Sequence, residues 1–492
     1  MRKVIAVALM TVLITGTFGT FANAAAPKAG AKCSKLNQSQ TSNGSVFKCV
    51  QSGKKLVWKK VSVIDSGTNP AFEFNSVCDV DPNSPEEWAE TERFLSYITC
   101  TSFYKYVPFS MPDQKPIETI STSEALASTD ECKIKQPSGQ YYPWRGFADP
   151  TDSQMTNYYK TFASPRPNMV IQVIPISWPD LPYSGNPQKD YGKYLKFFEE
   201  WIVNSADNGA NISVKVPDKY FVMPKNLDSY KDISKHGQPT PERRIFWSDV
   251  ITAVDSGINF AGTTLGLVLP ALNTPIEKFG GNPDGGGYMS AEGMIPHMLS
   301  VPPINLKYAH SNSQLATPHM WMHEMSHAGL DIGDYYYSGI WGSVGSGQLD
   351  QLGWDKYIEG FMSDNQIRCA PADKTTTHWI APSVAKGPYQ KLVVIPLSKT
   401  KVIVIESMRS AGYNYKIPKK NQGALVYTVD VSKTLHGEGT EVYRTSNRPF
   451  EPIDGRKADA PMKKGETLTI AGVKITVVES GTFGDVIKVE KA

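Results

Sequence analysis

From residue 165 onward the apolar positions of this chain switch between two periods. "NMVIQVIPISW" (168–178) is an apolar, β-branched run and predicts a buried strand. "DYGKYLKFFEEWIVNSA" (190–206) has helical spacing, and "NISVKVPDKYFVM" (211–223) alternates as a strand does. "FWSDVITAVDSGI" (246–258) is helical again, and "GTTLGLVLPAL" (262–272) is a second buried strand. "KFGGNPDGGGYMS" (278–290) follows. It has no G-K-[ST] and no suitable helix after it, so it is no phosphate loop; a flap or edge-strand connection beside a cleft is the plainer reading. After about residue 375 the texture changes. "KLVVIPL", "TKVIVIES", "GALVYTVDV", "ETLTIAG", "VKITVVES" and "DVIKVEK" are short strands separated by turn residues, which predicts an all-β domain built as a sandwich.

The first 160 residues read differently. Arg2 and Lys3, an apolar run and the small-residue site Ala22-Asn23-Ala24 have the form of a secretory signal peptide cleaved after about Ala24. No later segment is long and apolar enough to span a bilayer, so the expected product is secreted. Residues 30–60 read as a small β module, with Asn43-Gly44 as a turn and Cys33 paired to Cys49. Such a module resembles short Cys-paired N-terminal modules of secreted actinobacterial proteins; a cell-wall or surface tether is one reading and a passive spacer the other. Ser84 and Pro85 start a helix carrying Trp88, Phe94 and Leu95. Asp79, Asp81 and Asn83 alternate like the oxygens of a Ca2+ loop, but no glycine follows, and an ordinary loop leading into the helix competes with that reading. Six cysteines in an exported chain imply disulfides. Cys78, Cys100, Cys132 and Cys369 allow three pairings, among which the sequence does not choose. The net charge is +3 for the whole chain, and removing Arg2 and Lys3 leaves it close to neutral. That total gives no electrostatic case for nucleic acid or an anionic membrane.

The chemistry concentrates in "HMWMHEMSHAGLDIGDYY" (319–336). Thr317 and Pro318 are a good helix start, and Gly329 a good end. His323 and His327, four apart, project from one helical face and can present imidazole nitrogens to one ion. Glu324 is rotated about 100° from His323, where it can take a proton from water at the metal instead of ligating it. Trp321, Met325 and Ala328 form the packing face. Chance predicts about 0.01 H-E-x-x-H motifs in such a chain, which weighs against two incidental core histidines. Zinc requires a third protein ligand. Asp334, seven residues past His327 and beside Gly333, has room for the chain to reverse; Asp331 and Glu359 are the alternatives. His319, one turn earlier on the same stripe, either lines the cleft or is an ordinary helix-start residue. Among Tyr335, Tyr336 and Tyr337, one hydroxyl could serve an oxyanion, with core packing the competing role.

These residues resemble the secreted bacterial metallopeptidases of the immune inhibitor A type. "VIQVIPISWPDLP", "VDSGINFAGTTLGLVLPA", "LDQLGWDKYIEGFMSDNQI" and "VIVIESMRSAGYNYKIP" extend the resemblance over roughly 165–490. The family pattern H-E-x-x-H-x-x-G-x-x-D carries over to His323, Glu324 and His327 and then departs: the glycine falls two residues after His327, and aspartates fall at +4 and +7. The downstream turn that carries methionine in the family is here "IWGSVGSG". The resemblance implies an α+β fold with a zincin-like metallopeptidase domain and a central active-site helix at 161–375, then a β-sandwich at 376–492. Residues 61–160 would be linker and N-terminal or removable pro-region. The implied activity is Zn2+-dependent endopeptidase action on extracellular proteins or peptides, with Glu324 as base and His323, His327 and Asp334 as metal ligands. The rival is a secreted binding or surface protein with a degenerate zincin core.

Overall fold

The computed structural model describes residues 28, 30–36, 39–42, 45–53, 55–61, 106–160, 169–207, 209–231, 233, 240–284, 287–303, 318–328, 332–345, 349–415, 417, 419–435, 437–445 and 457–492. The signal-peptide segment, the Asp79–Asn83 loop, the helix expected after Ser84, Cys78, Cys100 and Asp331 lie outside them, as does the side chain of His319. The chain forms two compact units, Met1–Glu73 and Phe74–Ala492.

The smaller unit is a three-stranded antiparallel sheet of β1 (Ser39–Ser42), β2 (Ser45–Ser52) and β3 (Lys55–Val61). Gly53, with φ +60°, occupies the left-handed region that a two-residue hairpin loop demands between β2 and β3. Residues 30–33 lie along the outer edge of β3: the Gly30 amide donates to the Trp58 carbonyl and the Cys33 amide to that of Leu56. Cys33 and Cys49 are bonded, as the spacing predicts. Among the described residues that bond, buried Trp58 and half-buried Leu56 form the core, and so small a sheet needs a covalent staple.

Among the described residues of the larger unit the first α-helices are two short ones, α1 (Thr129–Cys132) and α2 (Ser153–Lys160). A mixed sheet follows. Its elements in chain order are β4 (Met169–Ser177), α3 (Pro187–Ser205), β5 (Ile212–Lys215), β6 (Phe221–Val222), α4 (Pro241–Val254), β7 (Leu265–Pro270), β8 (Asn282–Asp284), the hairpin β9 (Tyr288–Ser290) and β10 (Gly293–Ile295), β11 (His297–Ser300) and α5 (Pro318–Ala328). The strand order is β5-β4-β7-β11-β8, with β6 also on β4. All neighbours are parallel except β8, which closes the edge antiparallel to β11. Both long crossover helices start with a capping side chain and proline: Asn186 accepts from the Lys189 amide and Thr240 from that of Arg243. Parallel strands covered on both faces read as continuous apolar runs, as β4 and β7 do. Ile174, Ile176, Val268 and Met298 face Phe246, Trp247 and Val250 of α4. The expected single strand at 211–223 is two short strands, because Pro217 cannot donate to a ladder.

Two further sheets complete the unit. Their elements are β12 (Tyr335–Tyr337), α6 (Gly353–Ile358), β13 (Ile367–Cys369), β14 (Thr376–Ile380), β15 (Leu392–Pro396), β16 (Lys401–Met408), β17 (Gly423–Asp430), β18 (Gly437–Tyr443), β19 (Thr467–Ile470), β20 (Val473–Gly481) and β21 (Gly484–Lys491). The orders are β12-β18-β17-β16-β15-β13 and β14-β21-β20-β19. Alternation divides the larger sheet cleanly. Val393, Ile395, Ile403, Ile405 and Val426 pack on Ile475, Val477, Ile487 and Val489 of the smaller sheet. Leu392, Val394, Val402, Val404, Leu425 and Tyr427 face the other way, onto Trp144, Trp341, Trp354 and Tyr357. The central sheet is therefore buried on both sides, while β20 of the outer sheet alternates between buried and exposed. Strands β12 and β13 lie before residue 376 yet pair into this sheet. Residues 134–159 also belong to its core, through Ile134, Trp144 and Met155. Cys132 is bonded to Cys369, so a cut at residue 160 would leave this segment tethered.

Candidate metal centre

Helix α5 is anchored on its packing face. Trp321 lies against Tyr191, Tyr194 and Phe198 of α3, at ring-centroid distances of 6.1, 5.9 and 6.1 Å. Met325 and Ala328 are buried beside it. The opposite face presents His323 and His327 with rings nearly perpendicular and centroids 4.6 Å apart. Beyond the helix the chain turns back: the Ile332 amide donates to the Ser326 carbonyl. Gly333 then passes tightly under Pro143. A Cβ at 333 would lie 2.7 Å from Pro143 Cβ, so this approach is open only to glycine. The turn brings Asp334 back over the two histidines.

His323 Nε2 and His327 Nε2 are 3.0 Å apart, and Asp334 Oδ1 is 3.3 and 3.4 Å from them. Two neutral imidazoles and one carboxylate form the donor set of a catalytic zinc site. Ligand atoms about 2.1 Å from one ion at tetrahedral angles stand about 3.4 Å apart, so the triangle fits zinc without rearrangement. The remaining ring nitrogens fix the tautomer. His323 Nδ1 donates to the Ser343 carbonyl at 3.2 Å, and His327 Nδ1 to the Ile332 carbonyl. Both Nε2 lone pairs are thereby directed at the common point. The side chains of His323 and Asp334 are 22% and 25% exposed, so the centre opens to solvent on one side.

Glu324 is not part of the ligand triangle and is buried at 3% exposure. Gly281, just before edge strand β8, encloses it: a Cβ there would fall 2.4 Å from Glu324 Oε1. Burial pushes the Glu324 carboxyl up to about 7. His327 and buried Arg243 pull it back, and Asp334 pushes it further.

The other described candidate, Glu359, lies elsewhere. Glu359 is in the core at the end of α6, where both of its oxygens accept from Gln351 Nε2 at 3.0 Å. Among the described residues, the group placed to hold a metal is His323, His327 and Asp334. Tyr335 is buried and donates to Asp355 Oδ1, while Tyr336 and Tyr337 are exposed on β12. Within "IWGSVGSG", which has no methionine, Ser343 supports the centre: it offers its carbonyl to His323 and its hydroxyl to Ser326 at 3.0 Å. The sequence marked this stretch only as the counterpart of the family's downstream turn, lacking its methionine. The Gly-rich loop contains strand β8 and the glycine against Glu324. No helix among the described residues is long and apolar enough to cross a membrane. Comparison of the chain with protein-family models and with curated proteins finds no match.

Proposed function

We propose that this chain is an exported zinc-dependent endopeptidase with a zincin-like catalytic region. The observation that carries the reading is the triangle of His323 Nε2, His327 Nε2 and Asp334 Oδ1, with a buried carboxyl one residue along the same helix. Bound there, zinc would supply Lewis acidity, lowering the pKa of water and polarising a peptide carbonyl. The chain's own residues supply the rest. Glu324 accepts the proton of the attacking water and returns it to the leaving amide nitrogen. Its enclosure by Gly281 holds the carboxylate in one place, so little orientation is lost at the moment of transfer. Among the described residues strand β8 ends its sheet, pairing on one side with β11. Its outer backbone groups can receive an extended peptide as an added strand, and that peptide would run past Glu324. This favours a polypeptide substrate over a compact small molecule.

Zinc titration of metal-stripped protein tests the reading, with hydrolysis of a quenched-fluorescent casein read in the same samples. Activity should return with one zinc per chain, and Asp334→Ala or His327→Ala should lose both. A protein that binds zinc stoichiometrically yet cleaves neither casein nor a peptide library would refute the peptidase reading.

A further inference from the structure

We propose that Tyr335 and Asp355 are positioning residues that hold Asp334 in place as the third metal ligand. The proposal rests on the metal-binding half of the reading above and is independent of which bond the centre cleaves. His323 and His327 are both carried by α5, so the packing of one helix places the two together. Asp334 has no such support. It lies one residue before the three-residue strand β12, whose pairing with β18 is irregular between Tyr335 and Tyr337. A functional side chain must be held within about 0.5 Å of its productive position, which a short, bulged ladder does not secure by itself. Gly333 beneath Pro143 fixes the chain on one side of Asp334. Tyr335 fixes it on the other.

Tyr335 is anchored through its amide, its carbonyl and its hydroxyl. The amide donates to the Val344 carbonyl at 3.3 Å. The carbonyl accepts from Ser338 Oγ at 3.1 Å, and the hydroxyl donates to Asp355 Oδ1 at 2.5 Å. The side chain is buried in the core that contains Trp144, Trp341 and Trp354. Consecutive side chains therefore diverge: Asp334 reaches the two histidines while Tyr335 enters the core. A backbone rotation that swings Asp334 off the histidines also drags the Tyr335 ring, and the bond to Asp355 opposes it.

Asp355 is a firm anchor because α6 is itself bonded to its surroundings. The Gly353 amide donates to Glu406 Oε1 of β16 at 3.1 Å, and the Trp354 amide to the Tyr427 hydroxyl of β17 at 3.0 Å. The Trp354 indole donates to the Arg145 carbonyl at 2.8 Å, two residues from Pro143. Both supports of Asp334 thus trace back to one rigid assembly. Burying a carboxyl is costly unless it is hydrogen-bonded. Burial pushes Asp355 up to about 7, and the Tyr335 hydroxyl pulls it back. Helix α6 carries a second bond of the same kind, from the Tyr357 hydroxyl to Asp364 Oδ1 at 2.8 Å, which involves no residue of the ligand segment. It provides an internal comparison.

The test measures zinc affinity of the full-length protein, by competition with a chromogenic chelator, alongside melting temperature. Tyr335→Phe removes only the hydroxyl and should weaken zinc binding about tenfold to a hundredfold, as loss of a group that orients a ligand does. Tyr357→Phe removes the matching bond from the same helix and should cost a comparable melting temperature while zinc affinity stays at the wild-type level. Asp355→Asn keeps an acceptor oxygen without the charge, and should show a smaller loss of affinity than Tyr335→Phe. The double variant Tyr335→Phe/Asp355→Asn should bind zinc no more weakly than Tyr335→Phe alone, because the two residues act through one bond. Wild-type zinc affinity in Tyr335→Phe, an equal loss in Tyr357→Phe, or additive losses in the double variant would overturn the proposal. Wild-type protein that takes up no zinc would instead overturn the metal centre on which the proposal rests.

Discussion

Replacing Gly281 by alanine isolates the role of the buried glutamate. The backbone at 281 is not in the left-handed region, so alanine brings no conformational penalty there. Its effect is steric. The new Cβ would stand 2.4 Å from Glu324 Oε1, 2.6 Å from Cδ and 2.9 Å from Cγ, all well inside van der Waals contact. Glu324 is buried and flanked by both histidines on its own helix, so the carboxylate must move by about 1 Å to relieve the overlap. A misplacement of that size costs about a hundredfold in rate, or ~2.7 kcal/mol of barrier. Glu324 is not one of the three grouped ligands, so zinc content should stay at the wild-type level. Steady-state hydrolysis of a quenched casein, paired with metal analysis of the same preparation, reads both quantities. Gly281→Ala with full kcat/KM would refute the claim that this glycine positions the base. A variant that loses its zinc as well would show that 281 supports the whole centre instead.

Other outcomes follow from the same geometry. Asp334→Ala should lower zinc affinity by orders of magnitude in a competition titration with a chromogenic chelator, whereas Glu359→Gln should leave it unchanged, since Glu359 is bonded to Gln351 in the core. Ser326→Ala removes a hydroxyl partner of Ser343, which holds His323; zinc affinity should fall ~10-fold and thermal stability by ~1 kcal/mol, and unchanged affinity would detach Ser343 from the centre. Cys132→Ser/Cys369→Ser opens a link across 237 residues and should cost about 5 kcal/mol, visible in urea melts of the larger unit. Burial pushes Glu406 up to about 7, above its unfolded value, so the stability it contributes is present in acid and lost as pH rises through about 7. Glu406→Gln should therefore flatten the decline in melting temperature between pH 5 and 8, and an unaltered pH profile would contradict the assignment.

Much of this architecture is visible in the one-dimensional pattern, and what is hidden has a physical reason. Strands β15, β16 and β17 read clearly because alternation buries both of their faces, and α3 and α4 because their caps and apolar spacing agree. Strands β12 and β13 have three residues each, too few to show a period, and they join the second sheet only through pairing with distant partners. The Gly-rich run hides β8, because strand propensity is low there and the ladder with β11 sets the conformation. At the candidate centre His323, Glu324 and His327 are legible because one helix carries all three. The choice among Asp331, Asp334 and Glu359 was not legible. It depends on where the chain returns, which the contact of Gly333 with Pro143, nearly two hundred residues earlier, determines. Ser343 acts through its carbonyl, a group every residue possesses, so no side-chain pattern could single it out.

The most direct measurement is casein hydrolysis by wild type and Glu324→Gln at equal, measured zinc content. The amide keeps the shape of the side chain and removes its capacity to take a proton. The account predicts one zinc per chain in both proteins and a loss of at least a thousandfold in kcat for the variant, in line with removal of a general base from such a site. Equal activity in the two proteins would contradict the assignment of Glu324 as the base, and absence of activity in zinc-loaded wild type would contradict the peptidase itself.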